Sequence, residues 1–188
     1  MTIIYLINQS TSQLFNEVCS MRTEKVLKDK AVLIVDDEPD ILDSITDQLD
    51  MCRIYRAKDY EIALQLMAGF KFDIVILDVM GVRGFELLKK SVSKGFPTVM
   101  LTAHALTPEA LKESIQLGAV SFLPKEMMAE LDTYLADVVS GSKKVVWKNL
   151  LDKLGDYFER QFGSDWKDKD DFFKKFEEEL SDSKKESP

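Results

Sequence analysis

Ala31-Val32-Leu33-Ile34-Val35-Asp36-Asp37-Glu38-Pro39 sets five apolar residues without a break against three acids and a proline. An apolar run with no polar alternation is covered on both faces, as in a parallel sheet with helices on either side. The acids then fall at the carboxyl end of a strand, and Pro39 fits the first turn of a helix. Ile41, Leu42, Ile45 and Leu49 follow as one helical stripe, so this stretch alone specifies a strand, a polar turn and a helix.

The same unit recurs outward along the chain. Further strands are expected at residues 52–57, 72–77, 98–102 and 120–123. The second carries alternating charge from Arg53 to Lys58 and belongs at a sheet edge. Between them Ile62, Ala63, Leu66 and Met67 repeat the helical period. Thr107, Pro108 and Glu109 read as N-cap, first-turn proline and dipole-favoured acid, and Gly118 as the stop of that helix. Met127, Met128, Leu131, Leu135 and Val138 carry a fifth helix to Gly141. Residues 29–140 thus read as an α/β, doubly wound, five-stranded parallel sheet, whose ligand site lies at the strand carboxyl ends.

The flanks read differently. Residues 1–28 form an N-terminal leader, disordered or loosely docked, or a misassigned start before Met21; its apolar patch at residues 3–7 lacks the basic residues and cleavage site of a signal peptide. A chain beginning at Met21 is expected to melt unchanged. Residues 141–182 form an amphipathic helical extension: Val146, Trp147, Leu150, Leu151, Leu154, Phe158 and Phe162 make one stripe, Trp166, Phe172, Phe173, Phe176 and Leu180 a second after Gly163 and Ser164. Residues 183–188 read as a disordered tail.

Charge and composition exclude whole classes of function. With 25 basic against 33 acidic residues the chain carries a net charge of −8, which disfavours nucleic acid and anionic membrane. No apolar run approaches the roughly 18 residues of a membrane span. Cys19 and Cys52 stand apart in no metal-ligand spacing, consistent with a cytoplasmic location. The extension has near-neutral charge, no histidine and no basic recognition helix, so it is neither a phosphotransfer module nor a DNA reader, and a protein partner or self-association is expected of it.

Placed on this fold, Asp36 and Asp37 end the first strand, Asp78 the third and Thr102 the fourth, while Lys125 follows the fifth after Pro124. Taken singly, an Asp-Asp pair before a helix is a cap and a lysine after a proline is a solvated surface residue. Converging at strand ends, three carboxylates repel one another unless a hard cation such as Mg²⁺ sits among them. A carboxylate flanked by a cation and an ammonium could attack phosphorus, Lys125 and Mg²⁺ neutralising the transferring oxygens and Thr102 offering a hydroxyl.

These residues resemble the receiver domain of two-component response regulators over residues 30–140. The four segments that carry the likeness are residues 31–39, Phe-Asp-Ile-Val-Ile-Leu-Asp at 72–78, Val-Met-Leu-Thr-Ala at 99–103 and Phe-Leu-Pro-Lys at 122–125. The resemblance implies a flavodoxin-like fold with strand order 2-1-3-4-5. It implies that Asp78 takes phosphate from a histidine kinase or phosphotransfer protein, and that Asp36, Asp37, Asp78 and the Met80 carbonyl hold Mg²⁺. It further implies that Thr102 and Lys125 bind the phosphoryl group and that Thr102 and Phe122 form the switch. No enzymatic activity is implied beyond self-catalysed phosphoryl transfer and autodephosphorylation.

The sequence departs from the family after Asp78, where Val79-Met80-Gly81-Val82-Arg83-Gly84 is about two residues short and lacks a proline before Phe85-Glu86-Leu87-Leu88. Two alternatives stand beside phosphorelay signalling. A pseudo-receiver scaffold would never be phosphorylated. A haloacid-dehalogenase-type phosphohydrolase would need an Asp two residues after the nucleophile, where this chain has Met80. His104 reads as a solvent-exposed loop residue, with modulation of the attacking water as the other reading.

Overall fold

The structure is a computed structural model that describes residues 20–103, 107–141 and 143–181. The apolar patch at residues 3–7, Cys19, His104 and the tail at 183–188 lie outside the described residues.

After a first helix, α1, at residues 20–27, strands and helices alternate: β1 (Ala31–Val35), α2 (Pro39–Gln48), β2 (Arg53–Ala57), α3 (Tyr60–Gly69), β3 (Ile74–Asp78), α4 (Gly84–Ser93), β4 (Thr98–Thr102), α5 (Pro108–Gln116), β5 (Ser121–Pro124), a 3₁₀ turn (Lys125–Glu130) and α6 (Leu131–Ser140). Helices α7 (Lys143–Phe162) and α8 (Asp171–Ser181) follow. Local chemistry sets several boundaries. Pro39 and Pro108 open α2 and α5; Asp59 and Thr107 cap α3 and α5, accepting from the Ile62 and Ala110 N–H groups at 2.8 and 3.2 Å.

All five strands pair in parallel in the order 2-1-3-4-5. β1, β3 and β4 are buried throughout, as their unbroken apolar runs require, whereas β2 is half exposed and lies at one margin with its arginines outward in sequence. The third strand starts later than the pattern at residues 72–77 suggests. Asp73 instead caps the sheet, its carboxylate accepting from the Ala31 N–H at 2.9 Å and from Lys30 Nζ at 3.1 Å. Phe72 turns into an aromatic cluster with Tyr55, Phe70 and Phe96.

Residues 20–28 differ from the loose leader expected of them. Leu27 is fully buried in the core beside half-buried Val26, and Arg22 reaches Asp137 and Ser140 at 3.5 and 3.3 Å. The Cys52 thiol donates to the Leu27 carbonyl at 3.4 Å; burial, with Asp50 and Asp73 nearby, pushes that thiol up to about 11. Asp29 closes the helix in the left-handed region (φ 61°), and its N–H donates to the Met51 carbonyl. This helix lacks a sequence signal because its short apolar set is completed only by a groove the domain supplies.

The extension folds back on the domain. α7 packs against β5 and α6, and α8 against α7. Trp147 and Phe158 are fully buried, and Trp166 and Phe173 nearly so. β5 is therefore buried along its whole length although it is the last strand of the sheet. No helix among the described residues is long and apolar enough to cross a membrane.

Candidate functional site

Parallel pairing brings the carboxyl ends of β1, β3, β4 and β5 to one rim, and every predicted site residue but Phe122 lies on that rim. Lys125 is its hub. The Nζ atom lies 2.9 Å from Asp36 Oδ2, 3.2 Å from Asp78 Oδ1 and 2.7 Å from Glu38 Oε1. Asp36, Asp78 and Lys125 are nearly buried and Glu38 is exposed. One ammonium thus serves two buried carboxylates from different strands and a third from the surface.

The electrostatics follow from burial. Desolvation raises the Asp36 carboxyl above its ordinary value, against the lowering effect of Lys125 and of the Glu38 N–H, which donates to Asp36 Oδ1 at 3.0 Å. Burial acts to lower the Lys125 ammonium, but Glu38, Asp36 and Asp78 outweigh it and hold it above the ordinary lysine value. Both Asp36 oxygens are engaged, Oδ2 by the Lys125 ammonium at 2.9 Å and Oδ1 by the Glu38 N–H at 3.0 Å.

Asp78 is oriented from its other side. Its Oδ2 accepts from the N–H groups of Met80 and Gly81 at 2.8 and 3.0 Å, so the loop after β3 fixes the carboxylate by its backbone. Asp37, exposed, lies against the same loop: a Cβ on Gly81 would stand 1.9 Å from Asp37 Oδ1. Met80 sends its side chain into solvent. Thr102 ends β4, buried, in register with Pro124, the residue before Lys125. Phe122 is fully buried on β5 opposite Met100, away from the rim.

The short loop closes by close packing. Val79 and Val82 are buried, and Gly84 sits so near the strand that a Cβ would stand 2.1 Å from the Asp78 carbonyl oxygen. Arg83 takes the left-handed region (φ 57°) that non-glycine residues rarely occupy, held by paired bonds to the Glu86 carboxylate and by its guanidinium 4.2 Å from the centre of the Tyr60 ring. Glu38, Gly81 and Gly84 are site residues that sequence reasoning missed. Glu38 carried a signal, since it adjoins the Asp pair at a strand end; the glycines become informative only once their neighbours are placed.

Asp36, Asp37 and Asp78 bring oxygen donors of the kind a hard divalent cation prefers to one rim, although among the described residues no three such side chains are grouped as a metal site, and Lys125 pairs with Asp36 and Asp78. Chemically the arrangement is an oriented carboxylate beside further acids and an ammonium that pairs with them.

A family model described as the response regulator receiver domain matches residues 32–135. The sensory/regulatory protein RpfC of Xanthomonas campestris is 33% identical, over 54% of this chain and 18% of that protein. The chain spans less than a third of the length of the curated relatives it matches. Among solved structures, the Vibrio cholerae chemotaxis protein CheY4 is 32% identical with a TM-score of 0.53, covering 58% of this chain and 98% of that one. The response regulator TrrA of Thermotoga maritima, solved in complex with Mg²⁺ and beryllium fluoride, is 28% identical with a TM-score of 0.51 over 58% of this chain and 98% of that one.

Proposed function

This chain belongs to the response regulator receiver family, and from that premise we propose that it receives a phosphoryl group on Asp78 from a histidine kinase or phosphotransfer protein and signals through protein contacts. The observation that carries the reading is the position of Lys125, held between Asp36 and Asp78 by the two ion pairs at 2.9 and 3.2 Å.

A carboxylate oxygen of Asp78 attacks the phosphorus of a phosphohistidine; the P–N bond breaks, its electron pair returns to the imidazole, and an acyl phosphate forms. The Met80 and Gly81 N–H groups hold Asp78 Oδ2 while the other carboxylate oxygen faces the ammonium. Lys125 loses its claim on Asp78 once that carboxylate is esterified, and its charge turns to the phosphoryl oxygens. Thr102, at the neighbouring strand end, offers a hydroxyl. Asp36, Asp37, Asp78 and the Met80 carbonyl would hold Mg²⁺, which supplies charge neutralisation of the transferring oxygens when bound. The acidic cluster supports this, because Asp36, Asp37, Glu38 and Asp78 set four acids against the single ammonium of Lys125.

Output through protein contacts is supported by the net charge of −8 and by an extension that spends its aromatic residues on packing. Incubation with Mg²⁺ and a small-molecule phosphodonor, read by intact mass, tests the assignment. The wild-type chain should gain one phosphoryl group and Asp78→Asn none, because the amide is a poor nucleophile of the same shape. An unlabelled wild type would leave the interaction scaffold as the better reading.

A further inference from the structure

Arg83 breaks three local rules at one position. It sits at φ 57° and ψ 48°, in the left-handed region where Cβ crowds the following carbonyl oxygen and glycine is usual. It is also the N-cap of α4, a place for Ser, Thr, Asp or Asn, and its side chain caps none of the first N–H groups of that helix. Its charge stands at the positive end of the helix dipole, where an acid is favoured and a cation is not. A glycine would meet the first demand without strain and the second nearly as well as threonine.

What keeps the arginine there lies in its side chain. The Glu86 carboxylate, three residues on, accepts from Arg83 Nε at 3.0 Å and from a terminal guanidinium nitrogen. The guanidinium carbon lies 4.2 Å from the centre of the Tyr60 ring. Tyr60 opens α3 behind its N-cap Asp59, whose carboxylate accepts from the Ile62 N–H at 2.8 Å. Arg83 thus ties the loop after β3 to the fixed start of a second helix.

The loop so tied carries the donors that orient Asp78. Met80 and Gly81 donate to Asp78 Oδ2 at 2.8 and 3.0 Å, and Arg83 follows Gly81 by two residues. Val82 is buried, and the Gly84 N–H closes the turn on the Val79 carbonyl through a long bond of 3.3 Å. Met80 and Gly81 are exposed, so the aim of their N–H groups depends on how the turn is held at its ends.

We propose that Arg83 is a positioning residue for phosphoryl transfer: clasped by Glu86 and Tyr60, it holds the loop in the backbone shape that turns the Met80 and Gly81 N–H groups onto Asp78. A non-glycine residue persists in the left-handed region where its surroundings over-determine it, and such residues gather at functional sites. Glycine would adopt the same angles freely and leave them as freely, so the donors would lose their aim. Because the tie acts through the backbone, it governs the rate of the step and not the binding of the phosphodonor. The effect on rate rests on Asp78 being the phosphoacceptor; the hold on the two N–H groups does not.

The test uses the full chain as Arg83→Gly, Arg83→Lys, Tyr60→Ala and Tyr60→Phe, with Mg²⁺ and acetyl phosphate as the probe. Labelling is followed by intact mass across donor concentrations, with urea unfolding beside it. Arg83→Gly and Tyr60→Ala should each lower kcat by about tenfold or more with KM unchanged. The unfolding midpoint should hold in Arg83→Gly, because the strain leaves together with an exposed ion pair. Tyr60→Phe keeps the ring face and should label as wild type, whereas Arg83→Lys keeps the charge without the planar fork and should not restore the rate. A full rate in Arg83→Lys, or a raised KM with kcat intact in Arg83→Gly, would make the arginine an electrostatic contact for the donor and overturn the clasp. A lowered midpoint with full kcat would reduce it to a structural staple, and overturn it equally. By NMR, the Met80 and Gly81 amides should exchange about fivefold faster or more in Arg83→Gly and Tyr60→Ala than in wild type or Tyr60→Phe. Unchanged exchange contradicts the proposal. If the wild-type chain takes no label, the assignment of Asp78 fails and the effect on rate with it, and the amide exchange alone decides whether Arg83 holds the donors in place.

Discussion

Lys125 shows how one side chain can be both a stabiliser and a reagent. An ammonium held above its ordinary value contributes stability that is complete below its unfolded value, near pH 10.4, and is lost as pH rises through its folded value. Lys125→Met removes that contribution at every pH and leaves Asp36 and Asp78 buried without their cation, a loss of about 3 kcal/mol at neutral pH. Asp36, already raised by burial, binds its proton more readily folded than unfolded, so acidification favours the fold through this group. Thermal unfolding of the variant should therefore recover toward wild type as pH falls from about 8 to about 5. Gly84 acts by absence. A methyl group there must displace the strand end carrying Asp78, and Gly84→Ala should cost about 1–3 kcal/mol in urea unfolding and slow phosphodonor labelling as well. These two residues divide what the sequence discloses. The acids, Thr102 and Lys125 were legible because each ends an apolar run and the runs order themselves in a sheet. The glycines were not, since their meaning is the distance to an atom elsewhere in the chain.

At the scale of elements, unbroken apolar runs locate strands well and short amphipathic pieces poorly. β1 and β4 lie where their residues place them, whereas Asp73, apolar neighbours notwithstanding, leaves the third strand to cap the first through the Ala31 N–H. A local competition between a side-chain acceptor and a ladder bond decided that boundary, and no periodicity carries such information. α1 is the larger lesson. Its one fully buried side chain, Leu27, gives no helical stripe to read, yet it fills the core and receives the Cys52 thiol at its carbonyl. Leu27→Ala should cost about 2–5 kcal/mol of stability by denaturant titration. A leader with no role in folding would leave the midpoint unmoved. The helices of the extension, by contrast, were plain from their aromatic spacing, because each spends a long stripe on burial; where that stripe docks was not, since one apolar face fits many partners.

For the whole molecule the extension and the domain share one boundary, the last strand of the sheet. β5 is covered by α7, and β2 at the opposite margin is left half exposed with Arg53 and Arg56 in its run. A chain ending at residue 140 should bare β5 and the apolar surface around it, and static light scattering should report self-association that the full chain does not show at the same concentration. The asymmetry of the two margins also bears on how copies of this chain can add to one another. A parallel sheet with both margins open has a head and a tail, and head-to-tail addition repeats without end into a filament. With β5 covered by α7, β2 is the margin left for strand pairing, and β2 against β2 is a two-fold arrangement that consumes both free margins at once. Strand-to-strand growth of that kind ends at two, so the extension makes the sheet itself a finite object.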